Sequence, residues 1–102
     1  MALKAAFVFL APQVDPQQHR QRVCTPEVEL TAVAVNNYSE AVQVCQQLVA
    51  DGIAAIELCG GFGVIGAAKI AEAVQGQAAV GVVRFDGHPG LNDQSGDKFF
   101  NN

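Results

Sequence analysis

The chain has 102 residues, of which 50% are hydrophobic and 16% are charged, a balance that favours one compact domain and excludes a disordered chain. Its formal net charge is −4, with six lysines and arginines and no basic cluster, so nucleic acid is not an expected partner. No apolar run reaches the roughly 20 residues that span a bilayer, and no signal peptide is recognisable, so we expect a cytoplasmic protein without a membrane partner.

The first third of the chain predicts two strands separated by a short helix. Leu3–Leu10 is a nearly continuous apolar run, typical of a strand that is buried on both faces. Asp15 followed by proline is a favourable helix start, so we expect a short polar helix over Pro16–Val23, which Thr25-Pro26 ends. Glu27–Val35 predicts the second strand, because Thr and Val favour extended backbone.

The clearest predicted element is a helix over residues 37–51. Asn37 is suited to cap its start, and Glu40, three residues later, completes a capping box. Asp51-Gly52 ends the helix, with glycine where a left-handed conformation is favoured. Apolar residues at helical spacing form one stripe, which comprises Tyr38, Ala41, Val42, Cys45, Leu48 and Val49.

The second half of the chain continues the alternation of strands and helices. Ile53–Cys59 predicts the third strand, Gly60–Gly63 a glycine-rich turn, and Val64–Val74 an alanine-rich helix. Ala79–Phe85 predicts the fourth strand. Residues 86–102 are rich in Gly, Asp and Asn, and we expect them to form an irregular, partly mobile tail to a domain over residues 1–85.

The resulting order, β-α-β-α-β-α-β, predicts an α/β fold with about four mostly parallel strands and three helices that cover the sheet. The direction of the second strand stays open, because the helix before it is short. An open sheet is favoured over half of a (β/α)-barrel.

The three cysteines, Cys24, Cys45 and Cys59, are an odd number without a Cys-x-x-Cys spacing. Such a set is typical of free thiols in a reducing compartment. Cys24 and Cys45 are expected to be small core residues. Cys59 differs, because it directly precedes the glycine-rich turn.

In a parallel sheet the segments that follow the strands meet at the carboxyl edge, where ligands bind. Here these segments are Pro12–Asp15, Asn36-Asn37, Glu57–Gly63 and Arg84–Gly90. We expect Gly60, Gly61, Phe62 and Gly63 to bind a phosphate or carboxylate, because glycines permit close approach and a helix start offers free N–H groups. The alternative is a tight turn that needs glycine for packing, with Phe62 in the core.

Polar side chains near this edge supply chemistry to the predicted site. Arg84, expected level with Glu57 on the neighbouring strand, is the candidate anion clamp, and Asp86 joins it as a ligand-binding residue. The candidate catalytic residues are Glu57, Cys59 and His88, which offer a carboxylate, a thiolate at a helix start and an imidazole. A simple ion pair between Glu57 and Arg84 is the alternative.

A metal site is a further alternative at this edge. Asp86 and His88 are two residues apart and, with Glu57 or His19, contain the donor types that metals prefer. The glycines and proline of the same segment are explained equally well by a rigid loop. We therefore assign no metal and leave any cofactor unspecified.

The segments Thr25–Leu30, Ile56–Gly63 and Gly81–Gly90 include two fairly specific glycine-containing motifs. They resemble segments of a family of roughly hundred-residue bacterial proteins known as a domain of unknown function, and the resemblance covers nearly the whole chain. It implies a small, cytoplasmic, bacterial α/β protein. It implies no activity, substrate or catalytic residue.

Two classes of function are compatible with these features. The first is the binding of a small anionic metabolite at the carboxyl edge, with or without acid–base catalysis. The alternative is a non-catalytic assembly module, because the exposed edges of a small sheet favour a homo-oligomer, most simply a dimer. The Phe99-Phe100 pair would then dock on the partner or fold back on its own domain. Thiol redox sensing through Cys59 is weaker, because no resolving cysteine lies nearby in the sequence.

Overall fold

Five strands in the described part of the chain, residues 2–85 and 87–102, form one sheet in a computed structural model. The strands are β1 (Leu3–Leu10), β2 (Arg20–Cys24), β3 (Val28–Val35), β4 (Ala55–Leu58) and β5 (Ala79–Val82), in the spatial order β2-β3-β1-β4-β5. The helices of the described residues are α1 (Tyr38–Ala50), α2 (Val64–Val74) and the short α3 (Asp97–Phe100), and a 3-10 turn covers Pro89–Leu91.

The sheet is mostly parallel, as predicted, and belongs to the α/β class. Strand β3 pairs parallel with β1, β4 pairs parallel with the other side of β1, and β5 pairs parallel with β4. This result settles the direction of the strand predicted over Glu27–Val35. Strand β2 is antiparallel to β3, and it raises the number of strands in the described residues from the expected four to five.

The predicted helix over Pro16–Val23 is wrong. A single turn does form after Asp15, whose carboxylate accepts a hydrogen bond from the Gln17 amide at 2.9 Å. The turn does not propagate, because the segment has no apolar stripe to bury and a short isolated helix is unstable. Residues Arg20–Cys24 instead gain a ladder of backbone hydrogen bonds along the free edge of β3.

Helix α1 begins as the sequence predicts, with one difference in its cap. The side chain of Asn37 accepts a hydrogen bond from the Glu40 amide at 2.9 Å. The carboxylate of Glu40, however, accepts from the backbone and side-chain N–H groups of Asn36, at 2.8 and 2.7 Å, instead of closing a box on Asn37. The capping contacts therefore extend one residue further back and fix the end of β3 to the helix.

Helices α1 and α2 pack side by side on one face of the sheet, and the core lies between them and the strands. The largest fully buried side chains share this layer, and they are Tyr38, Ile56, Leu58, Ile70, Val8, Val33, Val35, Val74 and Cys45. Both helices follow the sequence pattern closely, since α2 has the predicted bounds and α1 buries its predicted stripe in part.

The opposite face of the sheet has neither α1 nor α2 against it, and we call it the open face. By strand register it consists of Leu3, Ala5, Phe7 and Phe9 of β1, Gln21 and Val23 of β2, Val28, Leu30, Ala32 and Ala34 of β3, Ala55 and Glu57 of β4, and Ala79 and Gly81 of β5. The rings of Phe7 and Phe9 stack on each other on this face, with centroids 6.3 Å apart.

The C-terminal residues fold back on their own domain. Phe100 packs against the core, and its ring lies 6.4 Å from that of Tyr38, whereas Phe99 is exposed. The hydroxyl of Ser39 donates a hydrogen bond to the carbonyl of Asn102. Partial mobility of this tail stays a prediction.

None of the helices in residues 2–85 and 87–102 combines the length and apolar character needed to cross a membrane.

Candidate functional site

A cleft of about 530 Å³ opens at the carboxyl ends of β4 and β5. Its walls come from the turn after β4, the first turns of α2, the segment after β5 and the loop that leads to α3. The lining residues are Gly60, Phe62, Gly63, Val64, Ala67, Val82, Val83, Arg84, Phe85, Gly87, His88, Asp93, Gln94, Ser95 and Gly96. The sequence therefore predicts the position of the cleft, where Cys59–Gly63 meets Arg84–His88.

Gly60 allows the segment after β5 to pack on the end of β4. A Cβ atom at Gly60 would overlap the ring of Phe85 and would approach the ring of His88 to 3.2 Å. The rings of Phe85 and His88 themselves pack at a tilt, with centroids 4.6 Å apart. The glycine is thus required by side-chain packing within the chain, which agrees with the tight-turn alternative.

His88 has a defined orientation at the cleft. Its Nδ1 accepts a hydrogen bond of 3.1 Å from the Gly90 amide and thereby caps the turn over Pro89–Leu91. An imidazole whose Nδ1 accepts in this way carries its proton on Nε2 when neutral. Nε2–H is therefore the group of His88 that can donate a hydrogen bond to a bound molecule.

The amides at the start of α2 already bind a carboxylate, and the chain itself supplies it. Asp97 accepts hydrogen bonds from the amides of Ile65 at 3.0 Å and Gly66 at 3.1 Å. The hydroxyl of Tyr38 donates to the same carboxylate at 2.7 Å and accepts from the Gly63 amide at 3.0 Å. The anion that we expected at this helix start is thus an internal one, in keeping with the preference of such positions for negative charge.

Burial and hydrogen bonding shift the acidities of this cluster in opposite directions. Burial raises the pKa of the Asp97 carboxyl, but the hydrogen bonds from Ile65, Tyr38 and Gly66 outweigh it and leave the pKa below its ordinary value. Burial, with the neighbouring Asp97 charge, raises the pKa of Tyr38 well above its ordinary value, although the hydrogen bond from Gly63 opposes the shift. The cluster is consequently a neutral phenol that donates to an ionised carboxylate.

Close packing at the start of α2 requires glycine at two more positions. A Cβ atom at Gly63 would overlap Ser95 and Asp97, and one at Gly66 would overlap the ring of Tyr38. Phe62 is 4% exposed and stacks on Tyr38, with ring centroids 5.4 Å apart. Of the two interpretations of Phe62, the core residue is therefore the one that the structure shows, although part of its surface forms the floor of the cleft.

The three candidate catalytic residues do not lie together. Glu57 is exposed on the open face, because side chains on β4 alternate and Ile56 and Leu58 point into the core. Among the described residues that line the cleft, His88 is present, whereas Glu57 and Cys59 are absent.

The thiol of Cys59 points towards backbone amides. Its Sγ accepts from the amides of Leu10 and Gly61, both at 3.4 Å, while the Nδ1 of His88 is bonded to Gly90. No thiol–imidazole hydrogen bond between Cys59 and His88 therefore occurs among the described atoms. Gly61 lies beneath this thiol, outside the lining of the cleft.

Arg84 lines the cleft but is not level with Glu57, so that expectation is wrong. The register pairs Glu57 with Gly81, and β5 ends at Val82, which places Arg84 three residues further along. Arg84 thus lies beyond the end of β5, in the wall of the cleft. Asp86, the remaining predicted ligand-binding residue, lies outside the described residues.

The loop after β1 and the segment after β3 are the other two predicted parts of the carboxyl edge, and they meet away from the cleft. The side chain of Asn36 accepts a hydrogen bond from the Val14 amide at 3.0 Å and donates one to the Val14 carbonyl at 2.8 Å. This pair ties the loop after β1 to the end of β3, and neither residue lines the cleft. Its groups are satisfied within the chain and contribute to the fold.

Tyr38, Ser95, Gly96 and Asp97 are the residues of this region that sequence reasoning missed. Tyr38 is the single tyrosine of the chain and stands on the apolar stripe of α1, where its ring predicts burial but its hydroxyl predicts no partner. Asp97 lies in a segment whose composition predicts irregular structure. Within residues 2–85 and 87–102, no group of three or more His, Cys, Asp or Glu side chains is arranged to hold a metal ion.

Comparison with known proteins identifies the family of the chain. No curated protein and no solved structure matches it. The model of a family described as "Family of unknown function (DUF6506)" matches residues 3–98, which is nearly the whole sequence. The chain therefore belongs to this family of unknown function.

Proposed function

We propose that the protein binds a small organic anion with an apolar body in the cleft at the carboxyl ends of β4 and β5. The observation that carries the proposal is the cleft itself. Its volume of about 530 Å³ is that of a small-molecule site, and it lies where parallel α/β sheets place their ligands.

The chemistry of the walls supports this class of ligand. Val64, Ala67 and Val82 provide an apolar surface in the cleft. Val64 is 85% exposed although its side chain is apolar. An exposed branched residue at the mouth of a concave site is accounted for by contact with an apolar ligand. Arg84 contributes a guanidinium, which suits a planar carboxylate or a phosphate.

The start of α2 is not the anion site in this proposal, because Asp97 occupies its amides. The charged end of the ligand is assigned to Arg84. His88 supplies a second polar contact, since its Nε2–H can donate a hydrogen bond to the ligand. Acid–base chemistry by His88 would in addition require Nδ1 to release the Gly90 amide and to take up the proton, and we include this step in the proposal.

Three probes test this proposal on the full chain. Benzoate has both the carboxylate and the apolar body, benzyl alcohol keeps only the body, and inorganic phosphate has only the charge. In an NMR titration we expect benzoate to shift the amides of residues 60, 64, 84 and 88, and we expect both other probes to bind more weakly. Equal binding of benzoate and benzyl alcohol would show that no cation holds the ligand.

A matched pair of variants locates the charge. Arg84→Gln should weaken benzoate by about tenfold or more, since a hydrogen bond to a charged group contributes about 1.5–3 kcal/mol. Arg22→Gln removes the same charge from an exposed position on β2, where Arg22 lies 3.8 Å from Glu29, and should leave the affinity unchanged. If the two variants bind benzoate equally well, the assignment to Arg84 is wrong.

We also place the protein in a reducing compartment, the bacterial cytoplasm. Cys24 is exposed, Cys45 is buried, Cys59 is half-buried, and all three are free. Mass spectrometry of protein isolated under acid quench should find three reduced thiols, and a disulfide-linked form would argue against this location.

A further inference from the structure

We infer that the open face of the sheet is the interface of a homodimer in which two copies pack face to face. Among the described residues, neither α1, α2 nor the C-terminal segment packs on this face, and Leu3, Val23 and Val28 are exposed on it, although the small Ala5 and Ala34 are buried. The inference goes beyond ligand binding, since the cleft lies at the carboxyl edge and the interface lies on a separate surface.

The distribution of charge over the strands is opposite to that of a sheet that faces water. Four charged strand residues, Lys4, Arg20, Arg22 and Glu29, belong by register to the side of the sheet that α1 and α2 cover. On the open face, Glu57 is the one charged residue among the described strand positions. A sheet with one face in water places its polar residues on that face, so this pattern indicates that another surface covers it.

The side chains of the open face are those of an interface centre. Phe7 lies in the middle of β1 and stacks on Phe9 near the carboxyl end of the strand. Leu30 adjoins them on β3, and small alanine and glycine residues occupy the neighbouring strands. Exposed Leu3 and Val23 extend the apolar surface towards β2. Aromatic enrichment and charge depletion distinguish the centres of protein interfaces from ordinary surface.

The area of the face meets the requirement of a dimer. Five strands about 4.8 Å apart span about 24 Å, and strands of four to eight residues are about 13–26 Å long. The face therefore covers about 500 Å² on each copy, or about 1,000 Å² in total, which is the lower bound for a specific interface. The side chains, which project above the plane, add to this area.

A second copy is the occupant that these features favour. A two-fold interface brings the same patch together on both subunits, so an apolar patch is complementary to itself without opposite charges. A partner chosen by charge would find a single carboxylate, that of Glu57, one residue from the end of β4. Two sheets packed in this way form a sandwich with helices on both outer sides.

Sedimentation of the full chain over a range of concentrations tests the inference. We expect a species of twice the 10.7 kDa chain mass at about 100 µM. Phe9→Glu places a charge in the stacked aromatic pair of the face and should raise the dissociation constant by about 30-fold or more. Val23→Glu should act in the same direction, and because Val23 is 57% exposed this change leaves the core of the monomer intact.

Phe99→Glu is the control, since it adds the same charge at an exposed aromatic residue of α3, away from the open face. It should leave the dissociation constant unchanged. A monomer at about 100 µM would overturn the inference, as would a dimer that neither Phe9→Glu nor Val23→Glu weakens. If Phe9→Glu does not fold, the dissociation constant of Val23→Glu alone tests whether the open face is the interface.

Discussion

Asp97 is the acidic side chain that attaches the C-terminal segment to the helix layer. Its carboxylate accepts from Ile65, Gly66 and Tyr38, three donors that come from two helices. At the start of α2 the carboxylate also meets the positive end of the helix dipole. This part of the attachment is therefore electrostatic and depends on the ionisation of Asp97, beside the packing of Phe100 against the core.

Stability should fall in acid through Asp97. The folded state lowers the pKa of this carboxyl below its ordinary value near 4, so the native state binds fewer protons than the unfolded state. The resulting stabilisation is present above pH about 4 and is lost as the pH falls through the lower, folded-state pKa. Asp97→Asn should lose about 1 kcal/mol at neutral pH and should lack this part of the acid dependence, as measured by urea unfolding.

Glu72→Gln provides the comparison, because it removes one negative charge from an exposed position on α2, away from the amides that Asp97 binds. It should leave the free energy of unfolding at neutral pH within about 0.5 kcal/mol. Equal losses in the two variants would show that net charge, and not the contacts of Asp97, determines the effect.

The three thiols should differ in reactivity in the order of their exposure. Burial raises the pKa of Cys45 to about 12, so its thiol stays protonated at neutral pH and lies in the core. Cys24 is exposed on the edge strand β2, so the expectation that it is a core residue is wrong, whereas the same expectation for Cys45 is confirmed. In native labelling with iodoacetamide, followed by peptide mass spectrometry, Cys24 should react first and Cys45 only after unfolding. Early labelling of Cys45 would contradict the burial of the α1 stripe.

Among the helices, Tyr38 and Asp97 join α3 to the packed pair of α1 and α2. Tyr38→Phe keeps the ring against Phe62 and removes the hydroxyl that bonds Asp97 and Gly63. The variant should lose about 1–3 kcal/mol of unfolding free energy, because the partly buried amide of Gly63 loses its acceptor. In a double-mutant cycle with Asp97→Asn, we expect a coupling energy of about 0.5–3 kcal/mol. Additive losses would show that the two side chains act independently.

Most elements follow from local patterns in the sequence. The bounds of β1 and α2 agree with prediction, and α1 starts at its Asn37 cap. The segment Arg20–Cys24 does not follow, because its capping signal at Asp15 is local, whereas the edge of β3 that it pairs with is created by the fold. Tertiary pairing outweighs a weak helix signal in such a segment.

The candidate site was predictable in position and less so in composition. Parallel strands bring Gly60 and His88 to one cleft, as the alternation implies. Glu57 lies on the open face, away from the cleft, because side chains alternate along β4 and Ile56 and Leu58 on either side of it point into the core. Asp97 binds the start of α2 beside the cleft, through Ile65 and Gly66, which precede it in the sequence by 32 and 31 positions. No periodicity of the sequence encodes such a contact.

At the scale of the whole molecule, the ligand cleft and the open face should act independently. The cleft lies at the carboxyl edge, and Phe9 does not line it. Phe9→Glu should therefore change the dissociation constant of the dimer and leave benzoate affinity within about twofold, as measured by titration calorimetry. A parallel loss of both properties would mean that the subunit interface forms part of the ligand site.

The central claim is that the cleft at the ends of β4 and β5 binds a small organic anion. An amide-resolved NMR titration of the full chain with benzoate, repeated on Arg84→Gln, tests it most directly. We expect saturable shifts that cluster at residues 60–64 and 82–88 and are lost in the variant. Shifts spread evenly over the surface, or a cluster at these residues that persists unchanged in Arg84→Gln, would contradict it.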